Sequence, residues 1–147
     1  MIGIIFLLLV AISCGAAATI GGRDGRRVAP LYLLAIIGTH YARAAVPSWT
    51  SPHVPVLVVD LALLGGLVAV ALNSRRYWTI WIAGLHLLTV ASHASVWFVG
   101  SSDARVYFVL ESVWAPVKLV ILLLGVLLDW GRERERRGVE HKNLPGA

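Results

Sequence analysis

The stretch 77–99, YWTIWIAGLHLLTVASHASVWFV, is an apolar run that carries two histidines, His86 and His93. Arg75 and Arg76 stand directly before it, Trp78 and Trp81 mark its start, and Trp97 lies near its end. At about 1.5 Å of rise per residue, a helix of this length crosses a hydrocarbon core of ~30 Å. Its basic end is expected to face the cytoplasm. That reading sets the depth of both histidines and lets the rest of the chain be placed around them.

The chain has 147 residues, of which 58% are hydrophobic and 14% charged. A water-soluble domain of this size could not cover so much apolar surface, so the expected solvent is a lipid bilayer. The net charge of +5 is gathered in short loops and in the tail after Trp130. It therefore reads as a topology signal and a headgroup contact, not as a nucleic-acid surface. Cys14 is the one cysteine, which rules out an internal disulfide.

The composition predicts an all-α bundle with five transmembrane spans near 2–20, 28–46, 54–72, 77–99 and 106–130. A basic cytoplasmic tail follows at 131–147. The first run lacks a basic leader, and the sequence before Cys14 matches a lipoprotein cleavage box poorly, so it reads as a retained helix. The segments 21–27, 73–76 and the tail hold nearly all the arginines. The segments 47–53 and 100–105 hold only Arg105. The N-terminus is then expected outside and the C-terminus in the cytoplasm. Small residues at 13–18, and the pairs Ala62/Gly66 and Gly65/Ala69, suit close helix approach. Trp49, Trp78, Trp81, Trp130, Tyr32, Tyr77 and Tyr107 read as interfacial anchors, and Trp114 as a residue at depth. Pro116 is expected to kink the last span and free the carbonyl of Ser112.

Seven ionisable residues fall inside these spans: His40, Arg43, Asp60, His86, His93, Glu111 and Lys118. Such residues are costly in lipid and face the bundle interior or water. Counting from the outer loops, His40, Asp60, His93 and Glu111 lie roughly 8–11 Å deep and Arg43 about 6 Å, whereas His86 and Lys118 lie about 20 Å deep. A seven-residue gap is nearly two helical turns, so His86 and His93 share a face, with Thr89 on it. Glu111 and Lys118 share a face in the same way. The expected pairs are His93 with Glu111 or Asp60, His86 with Lys118 or its neighbours, and Arg43 with an acid.

Four readings stay open at this stage. The favoured one is a non-enzymatic small membrane subunit or scaffold, acting with a membrane-protein partner or as a homo-oligomer, in which a polar network fixes helix register. The second is a proton or ion pathway, since layered histidines and carboxylates suit a relay. The third is haem b held between His40 and His93 from opposite sides, with Arg43 near its propionates. The fourth is a metal ion held by His40, His93, Asp60 and Glu111. No Gly-rich phosphate loop, HExxH motif or cysteine cluster points to a catalytic class. The run RRYWTIWIAGLHLLTVASHA at 75–94, with Tyr107 and the WAP at 114–116, resembles small polytopic inner-membrane proteins of alphaproteobacteria that have no assigned function. The resemblance covers the second half of the chain. It implies a bacterial inner membrane and no catalytic residue.

Overall fold

The structure is a computed structural model that describes residues 2–44, 54–99 and 104–142, with side chains at 3–44, 54–95 and 114–139. The described residues form five α-helices: α1 (Ile2–Ile20), α2 (Gly22–Ala44), α3 (Val54–Leu72), α4 (Tyr77–Val99) and α5 (Ala104–Lys142). The segments 47–53 and 100–103, with Trp49, and the side chains of Trp97, Tyr107 and Glu111 lie outside the described residues.

Each helix packs on its chain neighbour, and α5 returns to pack on α1, which closes the five into a ring. The outer surface is apolar. Ile4, Leu8, Leu34, Val58, Leu88 and Leu128 are among the large aliphatic side chains left exposed. Residues of this kind cover a face when lipid, not water, surrounds it. Three segments are long and apolar enough to cross a membrane: Gly3–Ile20, Val54–Leu72 and Trp114–Val139. Three such candidate spans are the pattern of a multi-pass membrane protein whose apolar outer surface meets lipid.

Two boundaries differ from the sequence reading. The helix expected from Val28 starts at Gly22, because the chain turns within Gly21 alone. Gly21 donates its N–H to the carbonyls of Ala16 and Ala17, at 3.2 and 3.1 Å. Gly22 then adopts a left-handed φ of 63°, which a side chain would resist. The last span is expected to end near Trp130, with a brief helical extension that frays at Gly138; the helix continues to Lys142. The residues beyond Trp130 are mainly Arg and Glu, all good helix formers. Pro116 lies inside this helix without ending it.

The core draws on every helix. Val10, Cys14 and Ala17 come from α1, Val28, Ala29 and Tyr32 from α2, and Leu63, Leu67 and Val70 from α3. Trp78 and Ile82 of α4 meet Leu119, Leu122 and Val126 of α5. Without a hydrophobic drive between helices in lipid, such packing holds through dispersion and close fit. Tyr32 and Trp78 are each 5% exposed. They are core residues and not the interfacial anchors expected of them, whereas Tyr77 and Trp81 are exposed. Of the two glycines in the small-residue pairs of α3, Gly66 lies against Leu31 of α2, whereas Gly65 faces open space.

The tightest fit in the α4–α5 seam is Gly125, where an added Cβ would collide with the side chain of Trp78. Gly125→Ala is expected to cost about 1–3 kcal/mol, the usual toll of overpacking. Gly84 has open space instead, and Gly84→Ala is expected to be neutral or mildly stabilising through helix propensity. Unfolding midpoints in detergent check both. The reverse ranking would show that this seam is misread.

Candidate functional site

Four of the seven ionisable residues that the sequence reading places inside spans meet in one place. α3 supplies Asp60, α4 supplies His86 and His93, and α5 supplies Lys118. His86 is 1% exposed, and His93 and Lys118 are 5% exposed. Lys118 Nζ lies 2.8 Å from His86 Nδ1 and donates to Thr89 Oγ1 at 3.0 Å. An ammonium has donors only, so His86 must accept at Nδ1 and carry its proton on Nε2. The other side of the ring agrees, for His86 Nε2 lies 3.0 Å from the backbone carbonyl of Asp60, which accepts it. Thr89 Oγ1 in turn donates a hydrogen bond to the carbonyl of Leu85 at 3.3 Å.

Asp60 joins the two histidines. Its carboxylate stands 3.0 Å from His93 Nε2 and 3.8 Å from His86 Nε2. The helical period explains how one acid reaches both rings: His86 and His93 project from one face of α4, toward α3. The network therefore ties three helices together, with His93 paired to Asp60 and His86 to Lys118.

A cavity of about 650 Å³ opens beside this network. Its walls include Phe6, Leu9, Ile36, Val56, Leu63 and Leu119. Asp60, His86, Thr89, His93 and Lys118 all contribute to its surface. Arg43 lines it too, from an exposed position near the end of α2. Leu67, Ile82, Leu119, Leu122 and Val126 are each at most 2% exposed and form an apolar layer across the ring.

His40 does not join the group. It is exposed, sets its ring edge-on to Tyr41 at 5.9 Å, and does not line the cavity. Its depth matches His93, but depth alone does not choose the side of a helix that a residue occupies. His40 and His93 thus do not face one another across a haem-sized space. Among the described residues no three His, Cys, Asp or Glu side chains converge as a metal site. Trp114 is half-buried and lies outside the cavity lining.

The sequence reading missed a second polar cluster at the opposite end of the bundle, centred on Arg76. Arg76 donates to Glu133 at 2.6 Å and to the carbonyl of Gly21 at 3.1 Å, and lies 3.5 Å from Asp129 and 3.9 Å from Asp24. Ser74 donates to Asp24 at 2.7 Å, and Trp78 Nε1 to Asp129 at 2.8 Å. One guanidinium therefore joins the α1–α2 turn, the start of α4 and the continuation of α5. Its planar fork of five donors suits that role. The available signal was that Asp24, Arg76, Asp129 and Glu133 all fall at one end of the expected spans.

Compared with known proteins, the chain matches no family model, no curated protein and no solved structure.

The Lys118–His86 contact is expected to be energetically coupled. In a double-mutant cycle of His86→Ala and Lys118→Met, the coupling should fall near 0.6–2 kcal/mol, the range for polar contacts between membrane helices. Reversible unfolding in mixed micelles measures it. Strictly additive effects would show that the two side chains do not act as a pair.

Proposed function

We propose that this protein is a non-enzymatic, five-span subunit or scaffold of a bacterial inner membrane, with its N-terminus outside and its C-terminus in the cytoplasm. The observation that carries the reading is the internal closure of the buried network. Lys118 donates to His86 and Thr89, His86 to the Asp60 carbonyl, and Thr89 to the Leu85 carbonyl. A network paired in this way specifies helix register.

The orientation is supported by charge. Arg23, Arg26, Arg27, Arg75 and Arg76 and the arginines of 132–137 gather at one end of the bundle, and clusters of this kind stay in the cytoplasm. A membrane-protein partner or a second copy is the occupant expected on the outer faces of such a subunit. The proton-pathway reading draws on the cavity that reaches Asp60, His93 and Lys118. The apolar layer of Leu67, Ile82, Leu122 and Val126 stands against it, because a relay needs polar groups or water on both sides of its central residues.

In liposomes, the purified protein is expected to add no proton flux above the empty-vesicle rate under an imposed pH gradient. Asp60→Asn and His86→Ala should lower the unfolding midpoint and leave flux at background. A proton flux that is present in the parent protein and abolished by Asp60→Asn, with the fold intact, would replace the scaffold by the pathway.

A further inference from the structure

The tail of the chain mixes arginines with glutamates, which on sequence alone weakens any attraction to an anion. The fold sorts these charges. Glu133 is drawn inward by Arg76 at 2.6 Å, and Asp129 is occupied by Trp78 Nε1 and by Arg76. Arg134 turns to the other side of α5, over the ring of Trp130 at 4.4 Å. Glu135 and Arg137 do not line the cavity described next; Arg75, Arg132 and Arg136 do, and none of these three makes an ion pair or hydrogen bond among the described residues. Together with Arg76, Tyr77, Asp129 and Glu133 they frame one cavity of about 260 Å³.

Four arginines there face two carboxylates, both already engaged by Arg76 or Trp78. The first turn of α4 begins at Tyr77 on the same wall, so its backbone N–H groups and helix dipole add to the positive field. The aromatic ring of Tyr77 is exposed, and Trp81 is exposed one turn further along α4. That is the level at which amphipathic rings meet lipid headgroups.

We propose that this cavity binds a phosphate-bearing anion and that its source is the headgroup of an anionic phospholipid. The proposal rests on the orientation given above, which places the arginine-rich end at the cytoplasmic leaflet. Guanidinium forks match phosphate oxygens geometrically. The exposed apolar face of α4, with Trp81, Leu88 and Ile80, gives the acyl chains a surface to follow. A phosphate at this point would relieve the mutual repulsion of three unpaired guanidinium groups.

The test uses the full chain in bilayers of phosphatidylcholine with spin-labelled phosphatidylglycerol or phosphatidylcholine as probe. The parent protein should hold the phosphatidylglycerol label more strongly than the phosphatidylcholine label. Each arginine near a membrane surface attracts anionic lipid by about fivefold, so Arg132→Gln should weaken that preference by about fivefold. The triple variant Arg75→Gln, Arg132→Gln, Arg136→Gln should remove it. The matching triple lysine variant, which keeps the charge, should retain most of it and controls for folding. Equal preference in the parent and the triple glutamine variant overturns the site. A second arm titrates inorganic phosphate against the lipid label. Displacement at millimolar phosphate overturns the lipid source and assigns the cavity to a free anion. Orientation is read separately by a reporter fused after Ala147. An outside reporter overturns the topology, while the spin-label result still decides the site.

Discussion

A lysine ammonium inside an apolar bundle constrains everything packed around it. Lys118 is 5% exposed, and a charge at that position is tolerated only where acceptors are already in place. His86 and Thr89 supply them from α4. The two residues are three apart, so they offer their acceptors from adjacent positions on one helical face. This fixes both the rotation and the register of α4 against α5. A slip of one residue in either helix would move the acceptors away from the ammonium, at a cost that apolar contacts alone would not impose. The histidine tautomer follows from the same contact, and the tautomer in turn selects the Asp60 carbonyl as the acceptor on α3.

α4 is thereby held at two points. Near its middle, His86 and His93 join it to α3 and, through Lys118, to α5. At its start, Arg76 and Trp78 join it to the α1–α2 turn and to Asp129 and Glu133. Between these points lies the apolar layer, where Trp78 fits against Gly125. Fixing both ends of a seam allows close packing between them, because neither helix can slide to relieve a tight contact. The arrangement also separates the two polar regions. The cavity beside Asp60 and the charged cavity beside Arg132 share no lining residue among the described residues, and the buried aliphatic side chains Leu67, Ile82, Leu122 and Val126 line neither.

Much of this was legible in the sequence, and the parts that were not share a physical reason. α3 and α4 coincide with the runs 54–72 and 77–99 read from the sequence, and their starts follow Pro52 and the basic pair Arg75 and Arg76. The seven-residue spacing put His86 and His93 on one face, and the contacts of His93 with Asp60 and of His86 with Lys118 are among the pairs expected, His93 with Glu111 or Asp60 and His86 with Lys118 or its neighbours. His40 escaped the same method because depth fixes one coordinate and leaves rotation about the helix axis open. It has no second polar residue at helical spacing whose contacts would settle its facing, apart from Arg43. Tyr32 and Trp78 were read as interfacial because of their position near span ends, but the same ends are where helices cross most closely. The Arg76 cluster was hidden by a different assumption. Charges outside a hydrophobic run were treated as solvated, yet a tight turn at Gly21 and Gly22 brings Asp24 back toward Arg76.

The continuation of α5 beyond Trp130 carries the largest consequence of that correction. In an unstructured tail, arginines and glutamates in alternation would average to a weak field. A helix turns about 100° per residue, so the same alternation becomes a sorting by direction. Glu133 faces the bundle and neutralises Arg76, and Arg134 faces Trp130. Arg132 and Arg136, four apart, return to nearly the same side and align with Arg75 across the start of α4. The charge of the tail is then neither a uniform cloud nor a set of self-cancelling pairs. It is a directed surface, produced by helix geometry from a sequence whose composition alone would deny it.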